Sequence, residues 1–461
     1  MTTVMDFAGV FLDLLGLFFS LHSESENVTI GGRDHREAIS IGSEFSSGSE
    51  HYGGNHMTDF PGKGKVAVLK TSPDTILEDI ESLMKLAGFE AALPKGVRTG
   101  LKINISWQTW YPACSSTPWQ IEGVIRALQK AGYDDLVGIH NDTVVVDTSD
   151  GERNNKHRFV TDKYGVPCLY LYNQDFEWIE YQPKRPFLVL DKVYPDGVFI
   201  PKALMGINII HLPTIKTHVF TTITGAMKNA FGGLLHRNRH WTHSVIHDTL
   251  VDLLMIQQDI HPGIFAVMDG TFAGDGPGPR AMRWHEKDIL LASADQVAID
   301  AVSAKLQGFN PMDIRFIRQA HELGLGVGNP RQIEILGYDI EQEPPWGFVQ
   351  EDTFASRGQK LIYHGPLKPF EKVLLQSPLV PWSYFASNFY HNVYWYPFVG
   401  RRRVEQALRT KWGQLFASYG DGKVVMPSME TKTVAQALFG IAIAGALVYS
   451  AAHLFSKKRT A

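Results

Sequence analysis

The densest run of chemically able side chains spans positions 216–233: Lys216-Thr217-His218-Val219-Phe220-Thr221-Thr222-Ile223-Thr224-Gly225-Ala226-Met227-Lys228-Asn229-Ala230-Phe231-Gly232-Gly233. Lys216 and Lys228 carry positive charge, and Asn229 can orient a ligand by hydrogen bonds. His218 has an ordinary pKa near neutrality, which suits a general acid–base. Thr221 or Thr222 is placed to cap a helix whose free N–H groups would face an anion. Thr224 and Lys228 then fall one turn apart on one face. The pattern predicts a site for a phosphate or carboxylate. The competing reading is a capped helix with a solvated basic face.

A second run, Asp269-Gly270-Thr271-Phe272-Ala273-Gly274-Asp275-Gly276-Pro277-Gly278-Pro279-Arg280, is rich in Gly and Pro. Such a loop exposes backbone N–H groups, Gly276 among them, in shapes other residues resist. Asp269 and Asp275 can bind a divalent cation, and Asp269 can instead act as a base. The spacing is neither that of a phosphate-binding Walker loop nor that of a dinucleotide fingerprint. Third, His236, His240, His243 and His247 recur at intervals of four, three and four. On a helix they share a face, and His240 with His243 is the candidate transition-metal pair; the alternative is an exposed or hydrogen-bonded stripe. The two cysteines, Cys114 and Cys168, are too few for an iron–sulfur cluster or a Cys-rich zinc site and read as free thiols. A divalent metal is thus the one cofactor for which the chain offers candidate ligands.

These residues need a scaffold. Val66–Lys70 reads as a strand, followed by a helix opened by Ser72-Pro73 and closed by Gly88. Leu101–Ile105 is the next strand, then a helix opened by Thr117-Pro118 and stopped by Gly132, then a strand at Leu136–His140. Further strands are expected at Phe187–Asp191, Ile207–Leu212, Ile264–Met268, Ile289–Ala292 and Ile333–Leu336, with helices at 296–307 and 312–323. The alternation predicts an α/β fold: a mostly parallel or mixed sheet with covering helices. In such sheets ligands lie beyond the carboxyl ends of the strands. Lys102 and Asn104 end one strand, His140-Asn141-Asp142 another, and Asp269 a further one. The expectation is one cavity shared by Lys102, Asn104, Lys216, His218, Lys228, Asn229 and the Asp269–Gly278 loop.

The chain has 461 residues, 44% hydrophobic and 20% charged, with a formal charge of -4. That balance argues against nucleic acid as a partner. Residues 433–455 run without a charged side chain, long enough to cross a bilayer core of about 30 Å, and Lys457-Lys458-Arg459 follow. Gly440, Ala444, Gly445 and Ala446 within it leave room for a partner helix. The apolar run 4–21 is interrupted by Asp6 and Asp13 and suits an interfacial helix better than a span. The domain reading is therefore an apolar helix (1–22), a flexible linker rich in Ser, Gly, Glu and His (23–64), an α/β core (65–340), an extension (341–432) whose aromatics and Arg401-Arg402-Arg403 suit lipid headgroups or packing on the core, and a single C-terminal span (433–455). Without a basic-start signal peptide, the soluble part is expected in the cytoplasm.

The chain resembles the prokaryotic domain-of-unknown-function family 362. The likeness is carried by Lys102-Ile103-Asn104, by Lys216-Thr217-His218 through Thr224-Gly225, Lys228-Asn229 and Phe231-Gly232, by His243 or His247, by Asp269-Gly270 and Gly274-Asp275-Gly276-Pro277, and by Ser293-Ala294-Asp295-Gln296-Val297-Ala298-Ile299-Asp300. Some members carry ferredoxin-like cysteine clusters, which this chain does not match. The resemblance implies no settled chemistry. Three readings follow: an enzyme acting on an anionic small molecule with a divalent metal; a non-catalytic ligand-binding or scaffold protein at a membrane; and a partner of a redox complex.

Overall fold

The structure is a computed structural model that describes residues 59–141, 146–173, 176–235, 237–375, 387 and 389–426. The expected segments 4–21 and 433–455, most of the linker, and His236 lie outside the described residues. No described helix is long and apolar enough to cross a membrane.

Among the described residues twelve strands form: β1 (Lys65–Lys70), β2 (Thr99–Ile103), β3 (Leu136–His140), β4 (Cys168–Tyr170), β5 (Trp178–Glu180), β6 (Phe199–Pro201), β7 (Asn208–Leu212), β8 (Thr214–His218), β9 (Thr222–Ile223), β10 (Ile264–Asp275), β11 (Arg283–Ser293) and β12 (Glu334–Gly337). The main sheet has the order β12-β1-β11-β10-β7-β2-β3-β4, and β5 and β6 form a separate pair. From β10 to β4 every neighbour is parallel. The β1–β11 and β10–β11 pairs are antiparallel, so the sheet is mixed, within the predicted class. β7 and β8 are one line of chain broken at Pro213. Residues 264–266 of β10 pair with β7, and Asp269 and Gly274 pair further on with β8. Strands that run parallel bring their carboxyl ends to one edge. The ends of β2, β3 and β7 therefore lie side by side.

Local chemistry explains the helices. Thr117 accepts the Gln120 N–H, and Gln120 reaches back, so the helix Pro118–Lys130 opens on a capping box. Asp295 caps Gln296–Gln307 through the N–H groups of Val297 and Ala298. Its other oxygen receives Gly64 and Val327, tying two distant segments together. Two expectations are corrected. The first helix starts at Ile76 after a turn at Ser72–Thr75, not at Pro73. Phe187–Asp191 is no strand, because the backbone N–H groups of Leu188, Val189 and Leu190 all turn to the Asp252 carboxylate rather than to a neighbouring strand.

The aromatic extension divides. Trp395 and Tyr396 pack on Trp107, at ring distances of 6.0 and 4.6 Å. Phe416 stacks on Trp110 at 4.1 Å. Tyr394 and Phe398, on the same helix as Trp395, are 39% and 69% exposed. The packing reading thus holds for Trp395, Tyr396 and Phe416, while Tyr394 and Phe398 stay at the surface.

Candidate functional site

Strand alternation turns Leu101 and Ile103 into the larger apolar cluster and Lys102 to the opposite face. There Gly232 and Gly233 leave it space: a Cβ on Gly233 would stand 3.1 Å from the Lys102 side chain. The Lys102 ammonium donates to the Ile103 carbonyl at 2.7 Å, and Asn229 Nδ2 donates to the Lys102 carbonyl at 2.7 Å. Asn104 accepts from the Ser106 hydroxyl at 2.8 Å.

The run 214–229 does not fold as its residue types suggest. Thr217–His218 pairs with Thr222–Ile223 in a tight hairpin, with Thr222 at a φ of 65°. Thr221 and Thr222 are therefore turn residues, not a helix cap. The short helix Ala226–Asn229 begins after Gly225. Its first N–H groups, Ala226 and Met227, donate to Asp300 at 2.6 and 3.1 Å. The acceptor at this helix terminus is the protein's own Asp300 carboxyl group, whose pKa burial raises to about 8, which corrects the expected open N-terminus. What the arrangement does achieve is to present Thr224, Lys228 and Asn229 together.

They face a cavity of about 250 Å³ at the carboxyl edge of β2 and β3, whose polar lining is Lys102, Asn104, Ser106, His140, Asn141, Thr148, His218, Thr224, Lys228, Asn229, Arg239, His240, His243 and Arg280. Among the described residues no carboxylate lines it. Burial drives the Lys102 pKa down to about 7, and the charge of Arg239 adds to the effect. Lys228 falls to about 8 for the same two causes. Burial first, then Lys228 and His243, hold His218 well below its ordinary value. His218 is thus a neutral imidazole. Its Nδ1 accepts the Phe220 N–H at 3.1 Å, so its proton sits on Nε2. Groups of one sign crowded into a half-dry cavity repel each other, and an anion relieves all of them at once.

Of the residues read from the sequence, Lys102, Asn104, His218, Thr224, Lys228, Asn229, His240 and His243 converge here. Lys216, Asp269, Asp275 and Gly276 do not line the cavity. Lys216 is sealed behind it, 1% exposed, with its ammonium on Thr214 Oγ1 at 2.5 Å. It remains close enough that Lys228 helps lower its pKa to about 8, after the larger effect of burial. Asp269 has no exposed surface; Thr117, Trp119 and the Thr271 N–H occupy its oxygens. It can neither abstract a ligand proton nor meet a metal. Asp275 is held by Arg283 at 2.9 Å and the Val349 N–H at 2.8 Å. Gly276 joins the loop to the chain at Gln350.

The expected metal set is therefore not assembled. Of the histidine stripe, His240 and His243 lie on 3-10 turns over Arg237–Val245, kinked at Asn238, and His247 on the helix Ile246–Ile260; His243 Nδ1 is bonded to the His240 carbonyl at 2.9 Å, and neither Asp joins them. His140 was placed by the sequence at the ligand edge of its strand, whereas Arg239 and Arg280 were not singled out. Arg280 closes the Gly/Pro loop and Arg239 lies inside the histidine stripe, so the stripe reaches the cavity through Arg239 as well as His240 and His243, and the loop through Pro279 and Arg280 rather than its aspartates.

Comparison with known proteins relates the region of the site to a family. Residues 99–305 match the profile of the family described as Domain of unknown function (DUF362). The Thylakoid-associated protein of Synechocystis sp. is 29% identical over 271 residues, covering 57% of this chain and 78% of that protein. No solved structure matches the chain.

Proposed function

We propose that this chain binds a small anionic molecule, bearing phosphate or carboxylate, in the cavity at the carboxyl edge of its sheet, and that it does so at a membrane. The observation that carries the first part is the lining: Lys102, Lys228, Arg239 and Arg280 with four histidines, and no described carboxylate. Lys228 lies 5.5 Å from the Phe231 ring and has no ion pair among the described residues. A ligand anion would supply the missing charge. Asn229 and Thr224 would orient it, and His218 Nε2–H would donate to it.

Catalysis on that anion is the second reading, favoured by one observation: Lys228 lines the cavity with a pKa lowered to about 8 by burial, so it can exchange a proton with a ligand near neutral pH. Asp269 has no part in it.

The membrane part rests on the apolar run 433–455, about 34 Å long as a helix, and on the exposed Tyr394 and Phe398 near Arg401-Arg402-Arg403. The Synechocystis relative is thylakoid-associated by its name, which supports association of this chain with a membrane.

Titration calorimetry of the full-length protein with inorganic phosphate and with citrate, at pH 6.5 and fixed ionic strength, tests the binding. We expect at least one of the two anions to bind and Lys228→Met to weaken it about 10-fold or more, with an unchanged circular dichroism spectrum. Equal binding by the folded variant, or no binding of either anion by the wild type, would overturn the reading.

A further inference from the structure

Beside the cavity lies a cluster of which the reading above uses only His140, as part of the lining. His140 ends β3, Glu152 sits on the helix Thr148–Asn154, and Cys168 begins β4. One ligand atom from each lies within 4.8 Å of the other two. His140 and Glu152 are both 2% exposed. We propose that His140, Glu152 and Cys168 form a three-ligand site for a divalent transition metal of the zinc class.

Three observations support the site. The first is orientation. His140 Nε2 is aimed at Glu152 Oε1 at 3.0 Å, a contact that falls short of hydrogen-bond alignment. A buried nitrogen and carboxylate that face each other off-line gain little from the contact; a cation between the ligand atoms would engage both.

The second is spacing and charge. Tetrahedral zinc with bonds of about 2.0–2.3 Å sets its ligand atoms about 3.5 Å apart, so the cluster needs to contract by little more than 1 Å. Imidazole, thiolate and carboxylate together carry two negative charges and neutralise M²⁺ in a site largely sealed from water. On binding, a metal–sulfur bond forms and the thiol proton leaves to solvent.

The third is local design. Pairing of β3 with β4 puts Cys168 directly across from Gly138. A Cβ there would meet Cys168 Sγ at 2.7 Å, so only glycine leaves the sulfur this position. Tyr170 donates its hydroxyl to the Glu152 carboxylate, 3.1 and 3.0 Å from the two oxygens, and its ring stacks on His140 at 5.9 Å. Metal ligands are commonly fixed by such outer contacts. Three protein ligands leave a fourth position open. His140 also lines the anion cavity, so the metal would add positive charge at its rim.

The test uses the full-length protein, stripped with chelator and reloaded with Zn²⁺ or Co²⁺. We expect one metal per chain by elemental analysis, and with Co²⁺ a thiolate-to-metal charge-transfer band in the near ultraviolet. Cys168→Ala should abolish the band and weaken Zn²⁺ binding about 100-fold, while Cys114→Ser keeps both. Cys168→Ser serves if Cys168→Ala fails to fold. Absence of stoichiometric metal in the wild type, or uptake unchanged in the folded Cys168 variants, would overturn the site and leave the cluster a hydrogen-bonded network. Phosphate titration of Cys168→Ala separates this result from the cavity reading, since Cys168 does not line the cavity and anion binding should persist without it.

Discussion

Lys102 and Lys228 are lysines held at pKa values of about 7 and about 8, so their protonation can be tuned within the working range of most proteins. Only the protonated forms attract an anion. Phosphate affinity should therefore be highest below about pH 7 and fall as pH rises through 8 to 9, with the steepest loss between about pH 7 and 8. The sign for stability is opposite. In the unliganded protein these lysines release protons that the unfolded chain still holds, so their contribution to stability grows as pH climbs from about 7 towards the ordinary lysine range. Bound phosphate should flatten or reverse that slope. Thermal melts from pH 6 to 9, with and without phosphate, read both effects; a phosphate-induced shift larger at pH 9 than at pH 6.5 would refute the assignment. At this scale the sequence was half legible. The types and spacing of Lys102, Asn104, Lys228 and Asn229 named the cavity correctly. Lys216 and Asp269 were misplaced because a strand alternates its faces and charge does not reveal which face is sealed. Cys168 was unreadable as a ligand: its partners lie 28 and 16 residues away, joined only by the β3–β4 pairing.

Elements explain why these residues meet. The helix Ala226–Asn229 is one turn long and cannot be stable alone; Asp300 supplies its N-terminal acceptors. Asp300→Ala leaves two buried N–H groups unpaired, at about 1–3 kcal/mol each. We expect urea unfolding to show a loss of about 2–4 kcal/mol, together with weaker phosphate binding, because Lys228 and Asn229 ride on this turn. If binding weakens with no loss of stability, Asp300 acts on the ligand and not on the helix. The aromatic helix 389–400 makes a second contrast. Tyr396 is fully buried, with its hydroxyl on the Trp110 carbonyl at 3.0 Å, and Tyr396→Ala should cost about 3–5 kcal/mol. Phe398→Ala should change stability by less than about 0.5 kcal/mol. Strand positions and the two long capped helices were readable from periodicity and capping residues. The hairpin at 217–223 was not, since threonine serves turns and helix caps alike, and neither was the turn at 187–191, whose cause is Asp252, more than sixty residues downstream.

For the whole molecule the proposed reading asks what would hold an anion-binding domain at a membrane. The chain carries no general positive field, with a formal charge of -4, so bulk attraction to anionic lipid is weak. That leaves hydrophobic insertion. On the proposed reading, the apolar run 433–455 would give stable anchoring, whereas two exposed rings beside the arginines would give only a reversible, salt-sensitive contact. The two contributions make separable outcomes. Deleting residues 433–461 should release the protein from membranes washed in high salt, while at low salt a fraction should still bind vesicles containing anionic lipid. That residual binding should fall further with Phe398→Ala, which is 69% exposed, and should not change with Tyr396→Ala in folded protein, since that ring faces the core. Flotation of the four proteins with vesicles at two salt concentrations makes the measurement. Retention of the truncated chain in high salt would move the anchor to the run 4–21. Full solubility of the intact chain without detergent would remove the membrane from the reading and leave the cavity to be explained as that of a free binding protein.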